Sequence, residues 1–146
     1  MKKFIALLLF CSANFTLWAQ NECEAFRAYL FNKEYGVFLK IDFCDESITI
    51  PGQDFYGSLP GYIGKKANNF IWLITSAEVK SKKATLTMIN EFGSEDLVGT
   101  LTQENDSLYV FRQKSGSQLK LSQNGKWQKM PKKMDFIRQN QKSPHH

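Results

Sequence analysis

From Val37 to Phe136 apolar residues recur at every second position, and that period of two constrains the fold more than any other feature. Val37, Leu39, Ile41 and Phe43 alternate with Phe38, Lys40 and Asp42. Ala84, Leu86 and Met88 alternate with Thr85, Thr87 and Ile89, and Leu97 and Leu101 with Val98, Thr100 and Thr102. Leu108 and Val110 then alternate with Tyr109 and Phe111; Leu119 and Leu121 follow, and Met134 and Phe136 form a last run. Such spacing puts successive side chains on opposite faces of a strand. Residues 48–50 read as a short strand after an Asp45-Glu46-Ser47 turn. Residues 70–75, aromatic and β-branched, read as a strand buried on both faces.

The breaks between the runs carry turn chemistry: Phe92-Gly93-Ser94, Asn105-Asp106-Ser107, Ser115-Gly116 and Asn124-Gly125. Asn-Gly is the strongest short hairpin signal of the four. Strands joined by tight turns form an antiparallel meander. About eight of them are expected to close into a small barrel or bent half-barrel, which hides their edges. The fold class read from the sequence is therefore mainly β, with one short N-terminal helix lying across the barrel. That helix is expected over residues 21–34, where Cys23, Phe26, Tyr29 and Leu30 share one helical face. Asn21 and Glu24 make a capping box, and Gly36 ends it.

The front of the chain reads as a secretory signal peptide over residues 1–19. Lys2 and Lys3 supply the positive start, residues 4–10 (FIALLLF) are apolar, and Ala19 is the small residue before the cut. Polar Ser12 and Asn14 stop the run short of a bilayer span. Phe10 before Cys11 does not suit lipoprotein processing. The two lysines and the run after them suggest a bacterial export signal, so the expected location is periplasmic or extracellular. Removing residues 1–19 leaves 127 of the 146, enough for one domain over 20–138. Residues 139–146 read as a disordered polar tail.

Cys11 leaves with the signal. Cys23 and Cys44 remain, and in an oxidising compartment they are expected to pair. There is no C-x-x-C for redox catalysis.

The only histidines, His145 and His146, lie in the tail, which removes histidine general-base chemistry from the fold. It also leaves no zinc ligand set, and no cofactor or metal is expected. Glycine-rich phosphate loops and nucleophile elbows are absent from the sequence. Carboxylates cluster at Asp42, Asp45 and Glu46, at Glu95 and Asp96, and at Glu104 and Asp106. Each cluster sits at or near a turn, where acids are common for structural reasons. A carboxylate-based hydrolase is the third reading, behind two binding functions.

Charge is unevenly spread. Residues 20–111 hold 8 basic and 13 acidic side chains, whereas residues 112–146 hold 9 basic side chains against Asp135 alone. The basic part interleaves Lys126, Lys129, Lys132, Lys133 and Arg138 with Trp127, Met130, Met134 and Phe136. Export disfavours nucleic acid as partner, leaving another protein or an anionic envelope component. Trp127, Lys129, Lys132, Lys133 and Arg138 are the candidate partner surface.

A second candidate is residues 51–64, PGQDFYGSLPGYIG, with Phe55, Tyr56 and Tyr62. Such aromatics either mark a binding loop or fold inward to plug a barrel end. The segment sits where a lid over a cavity would sit.

Gly125-Lys126-Trp127, with Arg138 ending the last strand, resembles the G-x-W and arginine pairing of lipocalin-like barrels. In that family the tryptophan lies near the start of the chain; here it lies near the end, and the family is not assigned. The leading expectation is a non-catalytic interaction domain, an inhibitor or immunity-type partner of another envelope or secreted protein. The alternative is a lipocalin-like carrier of a small apolar ligand, with a cavity opening near Phe55 and Tyr62.

Overall fold

The computed structural model describes residues 22–52, 54–66 and 70–140. The expected signal peptide, His145 and His146 lie outside them, as does the tail beyond Asn140.

The alternating runs form the walls of a closed antiparallel barrel. Its eight strands are β1 (Arg27–Asn32), β2 (Val37–Asp42), β5 (Gly61–Lys65), β6 (Ile71–Lys80), β7 (Lys83–Asn90), β8 (Asp96–Gln103), β9 (Leu108–Gly116) and β12 (Lys133–Arg138). Each pairs with the next in that order, and β12 pairs back onto β1 through Leu30↔Arg138 and Phe31↔Ile137. Two excursions interrupt the meander. β3 (Ile48–Thr49) pairs with β4 (Ser58–Leu59), and β10 (Lys120–Gln123) pairs with β11 (Lys126–Lys129). Asn124 and Gly125, with φ of 53° and 76°, make the tight turn between the latter two, as the Asn-Gly pair requires.

The inward set is the one the period of two picks out. Val37, Leu39, Ile41, Ile63, Trp72, Ile74, Ala84, Leu86, Met88, Leu97, Leu101, Phe111, Met134 and Phe136 are all buried in one cluster. An eight-stranded barrel is just wide enough for side chains to fill it. The outward positions of β7, Lys83, Thr85 and Thr87, face solvent. Among the described residues no helix is long and apolar enough to cross a membrane.

Both barrel ends are closed. At the entry end Phe26 stacks on Phe43, with ring centroids 5.6 Å apart, and meets Tyr109 edge-on at 6.0 Å. At the opposite end, called here the lid end, the β10–β11 hairpin folds over the opening and drives Leu119, Leu121 and Met130 into the core.

Two expectations are corrected. The helix is a single turn at residues 22–24, and the chain from Arg27 is strand β1. Leu30 faces inward and Tyr29 outward, while Asn32 turns a polar side chain into the core. Asn32 is satisfied there, donating to Asp135 O at 2.8 Å and accepting from Tyr35 N at 2.8 Å. A buried asparagine disguised the alternation, so the helical spacing looked stronger.

Residues 51–64 neither plug the barrel nor cover an end. Gly61–Lys65 is wall strand β5, and Tyr56 and Leu59 pack along the outer face of β5 and β6. Its glycines belong to a strand because the chains come very close: a Cβ on Gly61 would lie 2.3 Å from Lys40 O. A Cβ on Gly64 would meet the Phe38 ring at 2.9 Å. Ile50, Tyr62, Ile71 and Leu73 form a second apolar cluster there, which explains why residues 71–74 are buried on both faces. Ser115-Gly116 lies between the two runs as expected but still belongs to β9, with Gly116 (φ of 87°) paired with Leu97, so the break toward β10 falls just after it, beyond a register shift opposite Val98 and Gly99.

Candidate binding surface

The lid end carries two exposed aromatics, and the hairpin register explains their position. In β10–β11, Lys120 pairs with Lys129 and Ser122 with Trp127, so these four share one face. Leu121, Gln123, Lys126 and Gln128 share the other. The second face seals the barrel. Lys65 Nζ, on the last residue of β5, donates to Gln123 Oε1 at 2.6 Å and to Gln128 Oε1 at 2.8 Å. Burial pulls the Lys65 ammonium below the usual lysine range. Trp72 Nε1 donates to Lys120 O at 2.8 Å, a second latch between wall and lid.

The first face looks onto the β7–β8 turn. Asn90 shapes that turn, its Oδ1 accepting from Ser94 N at 2.9 Å and its Nδ2 donating to Ser94 Oγ at 3.0 Å. Glu95 reaches back to Lys120 Nζ at 3.4 Å and ties the turn to the hairpin. Phe70 packs against Trp127 at 4.8 Å and against Phe92 at 6.4 Å between ring centroids. Trp127 remains 59% exposed and Phe92 69% exposed. Between turn and hairpin lies a cleft of about 390 Å³ with Phe92, Trp127, Lys120 and Lys129 on its walls. Next to it, a slot of about 20 Å³ is bounded by Phe70, Trp72 and Glu91, and burial pushes the Glu91 carboxyl up.

The structure brings Trp127, Lys129, Lys132 and Lys133 to this end, all exposed. Arg138 stands apart at the entry end. Its Nη2 donates to Tyr109 Oη at 2.8 Å and to Ala25 O at 3.0 Å, beside a Tyr109 hydroxyl that also donates to Ala25 O. Trp127 and Arg138 thus lie at opposite ends, and the tryptophan–arginine packing of lipocalin-like barrels is not made. Phe55 is 94% exposed on the outer flap, Tyr56 is half-buried, and Tyr62 is buried edge-on against Phe38 at 5.6 Å.

The entry end is a structural latch. Cys23 and Cys44 are bonded, with sulfurs 2.09 Å apart. Asp42 accepts from Arg27 Nε at 3.3 Å, Cys44 N at 3.1 Å, Asp45 N at 3.0 Å and Ser47 Oγ at 2.6 Å. Burial alone would raise its carboxyl. The bonds from Asp45 and Ser47, the Arg27 charge and the Cys44 amide outweigh that and hold it below the usual carboxylate range.

Phe70 and Phe92 are site residues that the sequence reading placed only in a strand and a turn, and Glu95 was weighed there only as a carboxylate paired with Asp96. The available signal was Phe92 itself, a large aromatic in a glycine turn.

The class defined by this geometry is a closed, side-chain-filled eight-stranded antiparallel barrel with an aromatic cleft between a hairpin lid and the β7–β8 turn. No family model, curated protein or solved structure matches the chain.

Proposed function

We propose that the mature chain is an exported, non-catalytic binding domain that docks through its lid end onto an acidic surface of another envelope or secreted protein, as an inhibitor or immunity-type partner. The carrying observation is the exposure of Trp127 and Phe92 on the walls of one cleft that Lys129 also lines, with exposed Lys132 and Lys133 at the same end of the barrel. Half-exposed tryptophan is the residue type that anchors interfaces, and lysines beside it select and steer an acidic partner. The Cys23–Cys44 bond is compatible with an oxidising compartment.

Two observations favour docking over carriage or hydrolysis. The barrel interior is occupied by its own side chains from Phe26 through to Leu121. The Asp42 carboxylate is committed to its own loop, and the Glu95 carboxylate to Lys120.

The test is co-purification from the native host of wild type and of a Lys129→Glu, Lys132→Glu, Lys133→Glu variant. Docking on an acidic surface predicts loss of the bound protein with unchanged thermal stability. Retention of the partner by the folded variant removes the reading.

A further inference from the structure

The cleft between the β7–β8 turn and the β10–β11 hairpin is lined by the aromatics Phe92 and Trp127, the cations Lys120 and Lys129, and the polar Asn90, Ser94 and Glu95. Its polar groups are already occupied, Asn90 with Ser94 and Glu95 with Lys120. A sugar ring needs several unoccupied donors and acceptors, and this arrangement offers few. What remains open is the face of Trp127, the face of Phe92 and the lysines around them. Among the described residues, Lys126, Lys129, Lys132 and Lys133 have no carboxylate within 4.0 Å.

We infer that this cleft is an anchor site for one aromatic side chain flanked by carboxylates, presented by an extended acidic segment of the protein partner. The inference rests on the docking reading and adds to it the chemistry of the segment. The ring would stack between Trp127 and Phe92, where edge and face contacts favour aromatic over aliphatic guests. The flanking carboxylates would meet Lys129, on the same hairpin face as Trp127, with Lys132 and Lys133 at the same barrel end extending the basic track. The cleft volume of about 390 Å³ holds one such group without opening the lid. The lid can stay seated because its latches, Lys65 to Gln123 and Gln128 and Trp72 to Lys120, lie on the barrel side of the hairpin.

The experiment is a nitrogen-15 NMR titration of the disulfide-bonded mature protein with three blocked peptides: Asp-Glu-Phe-Glu-Asp, the same peptide with Ala for Phe, and the same with Lys for every acid. The indole N–H of Trp127 reports the cleft; that of Trp72, bonded to Lys120, reports the lid. The acidic Phe peptide should shift the Trp127 signal and leave Trp72 in place. It should bind about tenfold tighter than the Ala peptide, and Phe92→Ala should erase that difference. The lysine peptide should not bind. A Trp127 signal unmoved by the Phe peptide overturns the anchor. If the acidic peptides still shift the amides of Lys129, Lys132 and Lys133, the docking reading survives that loss. If none of the peptides shifts any of these signals, both fall. A Trp127 signal that moves on simple dilution puts a second copy of the chain in the cleft, and overturns the inference too.

Discussion

Replacing Asp42 by alanine removes the acceptor that organises the entry end. Four donors lose their partner: Cys44 N, Asp45 N, Ser47 Oγ and Arg27 Nε. Arg27 has a 41% exposed side chain and keeps Glu24 and Asp45, so its contribution is discounted almost to nothing. The two amides and the hydroxyl at about 1 kcal/mol each give a loss of about 3 kcal/mol, or roughly 10 °C in Tm for a domain of this size. Asp42→Asn keeps one acceptor oxygen and should cost about 1 kcal/mol. The pH dependence has a definite sign. A carboxyl held below its unfolded value stabilises the fold above the unfolded pKa, and that contribution is lost as pH falls through the lower folded value. Wild type and Asp42→Asn should therefore differ most near neutrality and converge below about pH 4. Urea unfolding followed by circular dichroism measures both quantities. A loss under about 1 kcal/mol for Asp42→Ala, or a gap that widens in acid, refutes the reasoning.

Three further outcomes are expected. Gly61→Ala places a Cβ 2.3 Å from Lys40 O, backbone that cannot swing aside, so it should lower stability far more than Gly64→Ala, whose neighbour is the tip of the Phe38 ring; thermal melts of the two variants decide it. Cys23→Ser should cost about 3 kcal/mol, and a reductant should shift the wild-type melting curve to match the variant's. Lys65 sheds its proton more readily folded than unfolded, so the unfolded chain binds more protons in the alkaline window below the ordinary lysine pKa, and stability contributed by Lys65 rises with pH there; Lys65→Met should remove that rise, read as the difference between the two proteins' pH–stability curves.

How much was legible depended on whether each strand met one environment per face. β7 and β12 alternate because one face is core and the other mostly water, and they stood out in the sequence, as did β2, although its outward Phe38 packs on Tyr62. β6 was visible as an apolar run, and its second buried face is the outer flap around Tyr62. β1 was misread because Asn32 puts a polar group inside, a bond to Asp135 O that no local pattern announces. β5 was hidden because Gly61 and Gly64 look like loop residues and are in fact demanded by close neighbours across the sheet. The Asn124-Gly125 hairpin was local and therefore readable. The cleft was not, since Phe70, Phe92 and Trp127 come from three separate segments. Only barrel closure and the folding-over of the lid bring them together. Arg138 was grouped with the lysines by sequence proximity, but β12 carries it to the other end of the barrel.

The most direct test of the central claim is native mass spectrometry of the mature protein purified gently from its own host. The docking account predicts one bound acidic protein, lost from the Lys129→Glu, Lys132→Glu, Lys133→Glu variant, on a chain cut after Ala19. A bound small molecule of a few hundred daltons, retained by that same variant, contradicts it and points to a carrier.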